Sequence, residues 1–257
     1  WGYIALGQGN NGWQSESTLV MFNNDGASGT VDNYSNDNGM INHNTHDFTY
    51  TLAANPDGSF NMLVTEMGQP TQAPMRLILS EDGNAALMDG TISQKRKLEV
   101  LVKIDAGKTY GNTDLSGDYY GLDYGHSGMN APPPSGSNMA ISNIMTFNAT
   151  AGTFTSVGRA NIDGILLPDD QSANPRSFAV NPNGSVSIRD GKLIGYVSGN
   201  GKLAIASGPH VSGDNPGTAH VYLKRGDKTY ATADLAGAWA FAGFGDFAGT
   251  TFRSECG

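Results

Sequence analysis

Only one cysteine, Cys256, occurs in the 257 residues, one position from the end, so neither an internal disulfide nor a cysteine-based zinc centre is available. Stability has to come from packed cores. Charge is sparse as well: 15 Lys and Arg stand against 24 Asp and Glu, a net charge of −9. That balance repels a polyanionic backbone and an anionic bilayer, so nucleic acid is not an expected partner. No apolar run reaches the roughly 18 residues that a membrane span needs, and no charged-then-apolar leader stands at Trp1; a soluble chain is expected. Glutamate is scarce: Glu16, Glu66, Glu81, Glu99 and Glu255 are spread over loops, a tail and a strand face read as outward, which offers no carboxylate pair for acid/base catalysis.

What is present is repetition. Lys108 to Tyr119 nearly repeats as Lys228 to Trp239, with Leu115 and Leu235 at an offset of 120 residues. Further echoes join Asn55-Pro56-Asp57-Gly58-Ser59 to Asn181-Pro182-Asn183-Gly184-Ser185, and Ser80-Glu81-Asp82-Gly83-Asn84 to Ser198-Gly199-Asn200-Gly201-Lys202. A period this long is a whole domain, and its drift places insertions in loops. The expected division is a first repeat over 1–115, a second over 116–235, and the opening of an incomplete third over 236–257.

Within a repeat the hydrophobic period is two. Phe48, Tyr50 and Leu52 alternate with Thr49 and Thr51, and Leu98, Val100, Val102 and Ile104 alternate with Glu99, Leu101 and Lys103. Turn chemistry separates these runs at Asn24-Asp25-Gly26, Pro56-Asp57-Gly58 and Glu81-Asp82-Gly83, and at Ala151-Gly152, Asn183-Gly184 and Asn200-Gly201 in the second copy. The first repeat then reads as eight strands: 1–6, 18–22, 29–34, 47–52, 59–65, 75–79, 85–88 and 98–104. Eight consecutive hairpin-linked strands without a helical crossover close most economically into an all-β, antiparallel up-and-down barrel, because closure removes both edges. Repeated β-sandwiches are the alternative.

Gly117-Asp118-Tyr119 and Leu235-Ala236-Gly237-Ala238-Trp239 resemble the opening strand of lipocalin and avidin type barrels. The resemblance implies that the aromatic plugs one barrel end against a basic residue from the last strand, with Arg225 in the similar position of the second repeat. It implies a barrel and no particular ligand.

Candidate chemistry is thin. Gly125-His126-Ser127-Gly128-Met129 lacks the second glycine of a nucleophile elbow and the strand-to-helix turn that motif needs. His43 and His46, three apart in an Asn-rich stretch read as a loop, are not preset for a metal, and His220 on its strand is read as facing solvent. No metal or cofactor is expected. Tyr119 and Tyr124, with Phe147, Phe178 and Tyr196, are the candidates to line a barrel cavity for a small apolar ligand or to stack on carbohydrate. Trp239, Phe241 and Phe244 lie on a first strand without its partners, and three outcomes stay open: the chain is a fragment of a longer array, the strand folds back on the second repeat, or strand addition to another copy of the chain builds a head-to-tail assembly. The leading expectation is a non-enzymatic, secreted or surface-displayed repeat protein with a structural, adhesive or binding role. The alternatives are a barrel carrier of a small apolar ligand and, third, a hydrolase at a barrel mouth, which a converging His or carboxylate pair would favour.

Overall fold

The computed structural model describes residues 1–9, 12–37, 40–66, 74–92, 95–127, 137–162, 164–170, 172–208, 217–227, 231, 242–247 and 251–256. Strands β1 (Gly2–Gly9), β2 (Gly12–Phe22), β3 (Ser28–Asp37), β4 (Met40–Ala54), β5 (Phe60–Glu66), β6 (Met75–Leu79), β7 (Ala85–Ile92) and β8 (Lys95–Val102) pair in sequence order. Antiparallel pairing of β8 with β1 closes the ring. The turns follow the sequence chemistry. Gly26, Gly58 and Gly83 take positive φ, and the carboxylates of Asp25, Asp57 and Asp82 accept backbone N–H bonds two residues on.

A short 3-10 turn, Asn112–Leu115, leads into the second barrel. Its strands are β9 (Gly117–Ser127), β10 (Ser137–Asn148), β11 (Thr153–Ile162), β12 (Ile165–Asp170), β13 (Arg176–Val180), β14 (Ser185–Ile188), β15 (Leu193–Val197), β16 (Leu203–Gly208) and β17 (Thr218–Lys224). Closure runs β9-β10-β11-β13-β14-β15-β16-β17 and back to β9, so this barrel also has eight staves. The extra strand arises because the long fourth strand of barrel one is interrupted in barrel two: β12 and β13 both pair with β11, at opposite ends of it. Pro175, just before β13, has no N–H to give to a continuous ladder. The fold is thus two closed eight-stranded antiparallel barrels in tandem, with no α-helix among the described residues.

Each barrel keeps its own core. Met62, Met75, Ala86, Met88 and Leu101 form one, and an aromatic-rich group around Phe147 forms the other, to which Tyr110 and Leu115 of the connecting segment also belong. A third cluster joins the barrels side by side: Ile4 and Val102 of the first with Tyr196 and Ile205 of the second. The Ser17 hydroxyl donates to the Ile194 carbonyl at 2.6 Å, and that of Ser207 donates to the Glu16 carbonyl at 2.6 Å. Gly2 is required here, since a Cβ would stand 2.1 Å from Tyr196 Cγ.

Two strand readings are corrected by this packing. Val100 and Val102 point out of barrel one into the joint with barrel two, whereas Glu99 and Leu101 point into the barrel. Over residues 99–102 both faces of β8 are covered, so its alternation revealed two faces without saying which was the inner one. At the other end of the chain, the strand expected over 237–245 to be unpartnered has a partner: β18 (Ala242–Phe247) pairs antiparallel with β19 (Thr251–Cys256). Phe244 lies in β18, while Trp239 and Phe241 fall outside the described residues.

Candidate ligand-binding site

The residues proposed from the sequence to line a cavity separate into three places. Tyr119, Phe147 and Phe178 do point into barrel two, but they fill it. The Phe147 ring lies 5.4 Å from Tyr119, 5.2 Å from Phe154, 5.1 Å from Phe178 and 6.0 Å from Tyr222. Edge-to-face packing on Tyr119, Phe178 and Tyr222 and stacking on Phe154 satisfy the rings among themselves. Tyr196 leaves the barrel interior altogether and is buried in the joint with barrel one. Tyr124 points outward, beside Leu122 and Ala140, on the external surface of β9 and β10. The cation over the Tyr119 plug is Lys224, 5.8 Å from the ring, whereas Arg225 lies beside the outward Tyr120 at 6.0 Å.

His220 is likewise corrected. It is buried inside barrel two, with Nδ1 2.8 Å from Asp123 Oδ1 and Nε2 2.9 Å from the Thr218 hydroxyl. A carboxylate, an imidazole and a hydroxyl in line resemble a hydrolytic relay, yet the Thr218 proton is already donated to the Gly208 carbonyl at 3.0 Å. The Asp123 approach is close but lacks hydrogen-bond alignment. The arrangement brings together residues of β9, β16 and β17, with Thr218 bonded both to His220 on its own strand and to Gly208 of β16. Nearby, the buried Asn143 Oδ1 occupies the space that Gly121 vacates; a Cβ on Gly121 would stand 2.1 Å from it.

The open interior is that of barrel one, for which the sequence offered no candidate lining residues. A cavity of about 310 Å³ runs between inward residues of β1 to β5, β7 and β8, with β6 contributing Met75. Its composition is graded. Apolar side chains, among them Val20, Phe22, Phe48, Met62, Met88 and Leu101, make up one part, and Tyr3, Glu16, Glu66, Glu99 and His46 the other. A second, apolar space of about 250 Å³ shares Phe22, Met62 and Leu101 with it and continues past Trp1, Tyr50, Leu77 and Leu79 to the rim. Together they describe a channel along the barrel axis with an apolar mouth and an acidic floor.

Register explains the floor. Ala5 of β1 pairs with Glu16 on one side and with Glu99 on the other, so a small inward residue sits between two carboxylate-bearing ones. Glu16 and Glu99 are 6% and 2% exposed, and both take part in polar or electrostatic interactions. Glu66 approaches His46 Nε2 at 3.6 Å. The Tyr3 phenol, one row above Ala5, is pushed well above the usual tyrosine range by burial and then by the charges of Glu16, Glu99 and Glu66, against the opposing hydrogen bond with Thr18. Three carboxylates therefore act on one phenol, which stays protonated. Residues scattered along the sequence, Glu16, Glu66, Glu99 and His46, thus line one cavity; the missed signal was that Glu16 and Glu99 stand on the two strands that flank β1. His43 and His46 lie on β4 rather than in a loop and face opposite ways, His43 stacking on Tyr34 at 4.0 Å outside and His46 lining the cavity.

No family model matches the chain, and no curated protein matches it. Among solved structures it is similar to a protein of unknown function from the DUF3598 family of Nostoc punctiforme PCC 73102, with 14% sequence identity over 86% of this chain and 93% of that one and a TM-score of 0.22.

Proposed function

We propose that the chain is a non-enzymatic binding protein in which barrel one holds a small amphiphilic molecule and barrel two is a filled structural partner. The observation that carries this reading is the graded channel: apolar from the Trp1–Tyr50 rim to Met62, then carboxylate-rich around Tyr3. An interior of this size suits a ligand of modest length, and its polar groups are few and convergent. The described lining of the inner cavity contains no Lys or Arg, so the head group favoured at the floor is a hydrogen-bond donor or a cation, with its apolar part toward the mouth. The solid interior of barrel two favours a structural role for that half, as expected of a secreted or surface-displayed repeat protein.

Calorimetric titration with octylamine and, separately, octanoate tests the reading. Octylamine binds with one-to-one stoichiometry and octanoate at least about tenfold more weakly, about 1.4 kcal/mol of discrimination. Met88→Trp, which fills the cavity, abolishes the heat of octylamine binding. Equal affinity for amine and acid, or no heat with either, refutes it.

A further inference from the structure

The outer surface of barrel two carries an apolar face that ordinary surface composition does not explain. Leu122 is 63% exposed and Leu166 58%; Tyr120, Ile144, Val157 and Leu223 are exposed too, and they adjoin one another through the pairings of β17, β9, β10, β11 and β12. A groove of about 430 Å³ crosses this face. It is continuous with the joint between the barrels, because Ala219 and Val221 belong both to the groove and to the joint. Contiguous exposed apolar surface of this kind marks an interaction site.

Internal repetition identifies what fits there. One row of directly paired residues crosses barrel one as Ile78, Leu87, Val100 and Ile4. The corresponding row of barrel two is Tyr196, Ile205, Val221 and Leu122. In the joint, Ile4 of barrel one is buried with Tyr196 and Ile205 of barrel two: the first hairpin of one repeat covers the late strands of the other. A related contact, shifted by one strand, recurs at the tail. The β18–β19 hairpin, which by its offset of 120 from β9 is the opening of the third repeat, lies against β7 and β8 of barrel one. Two first hairpins therefore rest on the late strands of another repeat. The third, β9–β10, presents Leu122, the counterpart of the buried Ile4, to solvent.

We infer that the β9–β10 face of barrel two is a docking surface for the β6–β8 face of barrel one in a second copy of this chain, with Leu122 seated on Ile78 and Leu87 as Ile4 is on Tyr196 and Ile205. In the accepting copy the arriving hairpin takes the place of β18–β19, exchanging one first hairpin for another. The contact is heterologous, so it propagates head to tail into a ring or an open filament. This association does not involve the channel of barrel one, so it stands apart from ligand binding.

Sedimentation velocity of the full chain over a wide concentration range provides the first test. The weight-average mass rises above 27.0 kDa with concentration, and Leu122→Lys weakens the association at least about tenfold with an unchanged circular-dichroism spectrum. The second test uses chains carrying Cys256→Ser with either Leu122→Cys or Leu87→Cys: a bismaleimide links the two when mixed and links neither to itself. A wild-type chain that stays at 27.0 kDa throughout, association that survives Leu122→Lys, or self-linking of the Leu122→Cys chain each overturns the inference.

Discussion

Phe147→Ala tests whether barrel two is filled by its own side chains, the point on which the division of labour between the barrels rests. Phe147 is 3% exposed and its ring meets four other aromatic rings at 5.1 to 6.0 Å. Truncation removes the transfer free energy of a benzyl group and leaves a void that the β-barrel wall cannot close, because its staves are held by ladder hydrogen bonds on both sides. The expected loss is about 4 kcal/mol, within the range of about 3–5 for buried Phe→Ala changes. With a urea dependence of about 2 kcal/mol/M, the unfolding midpoint falls by about 2 M, read from the near-ultraviolet circular dichroism of the aromatic cluster. Phe147→Leu, which keeps most of the volume, costs about 1.5 kcal/mol or less. The new cavity is dry and apolar, so saturating benzene recovers part of the lost midpoint in Phe147→Ala and none in the wild type. A loss below about 1 kcal/mol for Phe147→Ala would show that Phe147 lines an open space, and the assignment of ligand binding to barrel one alone would fail.

Three further outcomes follow from the same geometry. Hydrogen bonds from the Asn84 side chain, the Ser80 hydroxyl and the Asn84 backbone hold Asp82 down from an ordinary 3.8 to about 2, so its contribution is complete above pH 3.8 and disappears as pH falls toward 2. Scanning calorimetry from pH 5 to pH 2 shows a shallower acid decline in Tm for Asp82→Asn; an unchanged slope refutes the assignment. Burial first, and then the charge of Asp114, pushes the Tyr119 phenol from an ordinary 10.0 up to about 12, so folding holds it neutral and loses that contribution as pH rises from 10 through 12. Absorbance at 295 nm shows a tyrosine fraction that ionises only together with loss of near-ultraviolet circular dichroism, and reversible ionisation of every tyrosine in folded protein would contradict it. Gly2→Val drives its side chain into Tyr196, costs about 1–3 kcal/mol, and increases tryptic cleavage at Lys103 or Lys108 between the barrels; an unchanged cleavage rate would mean the joint is not built as described.

Local chemistry was legible wherever a residue acts through its own backbone. The Asp-Gly and Asn-Gly turns are where the sequence placed them, because positive φ and an Asx bond depend only on neighbours a few residues away. All eight strands of barrel one were legible by alternation, although β2 and β4 extend well beyond the segments read for them. The candidate site was not. Glu16 and Glu99 are far apart in sequence and line one cavity only because β2 and β8 flank β1 once the barrel closes. His220 and Tyr196 were misplaced for a related reason: each sits on a strand of barrel two whose two faces are both covered, one by the barrel interior and one by barrel one.

The sequence by itself determined the repeat, the strands and their turns, since these arise from period-two patterning and short-range conformational preference. Only the tertiary structure decided which face of each strand turned inward, which barrel was filled and which was left with an acidic channel. Those outcomes depend on closure and on the joint between barrels, where burial on both sides of a strand erases the contrast between core and solvent that alternation records.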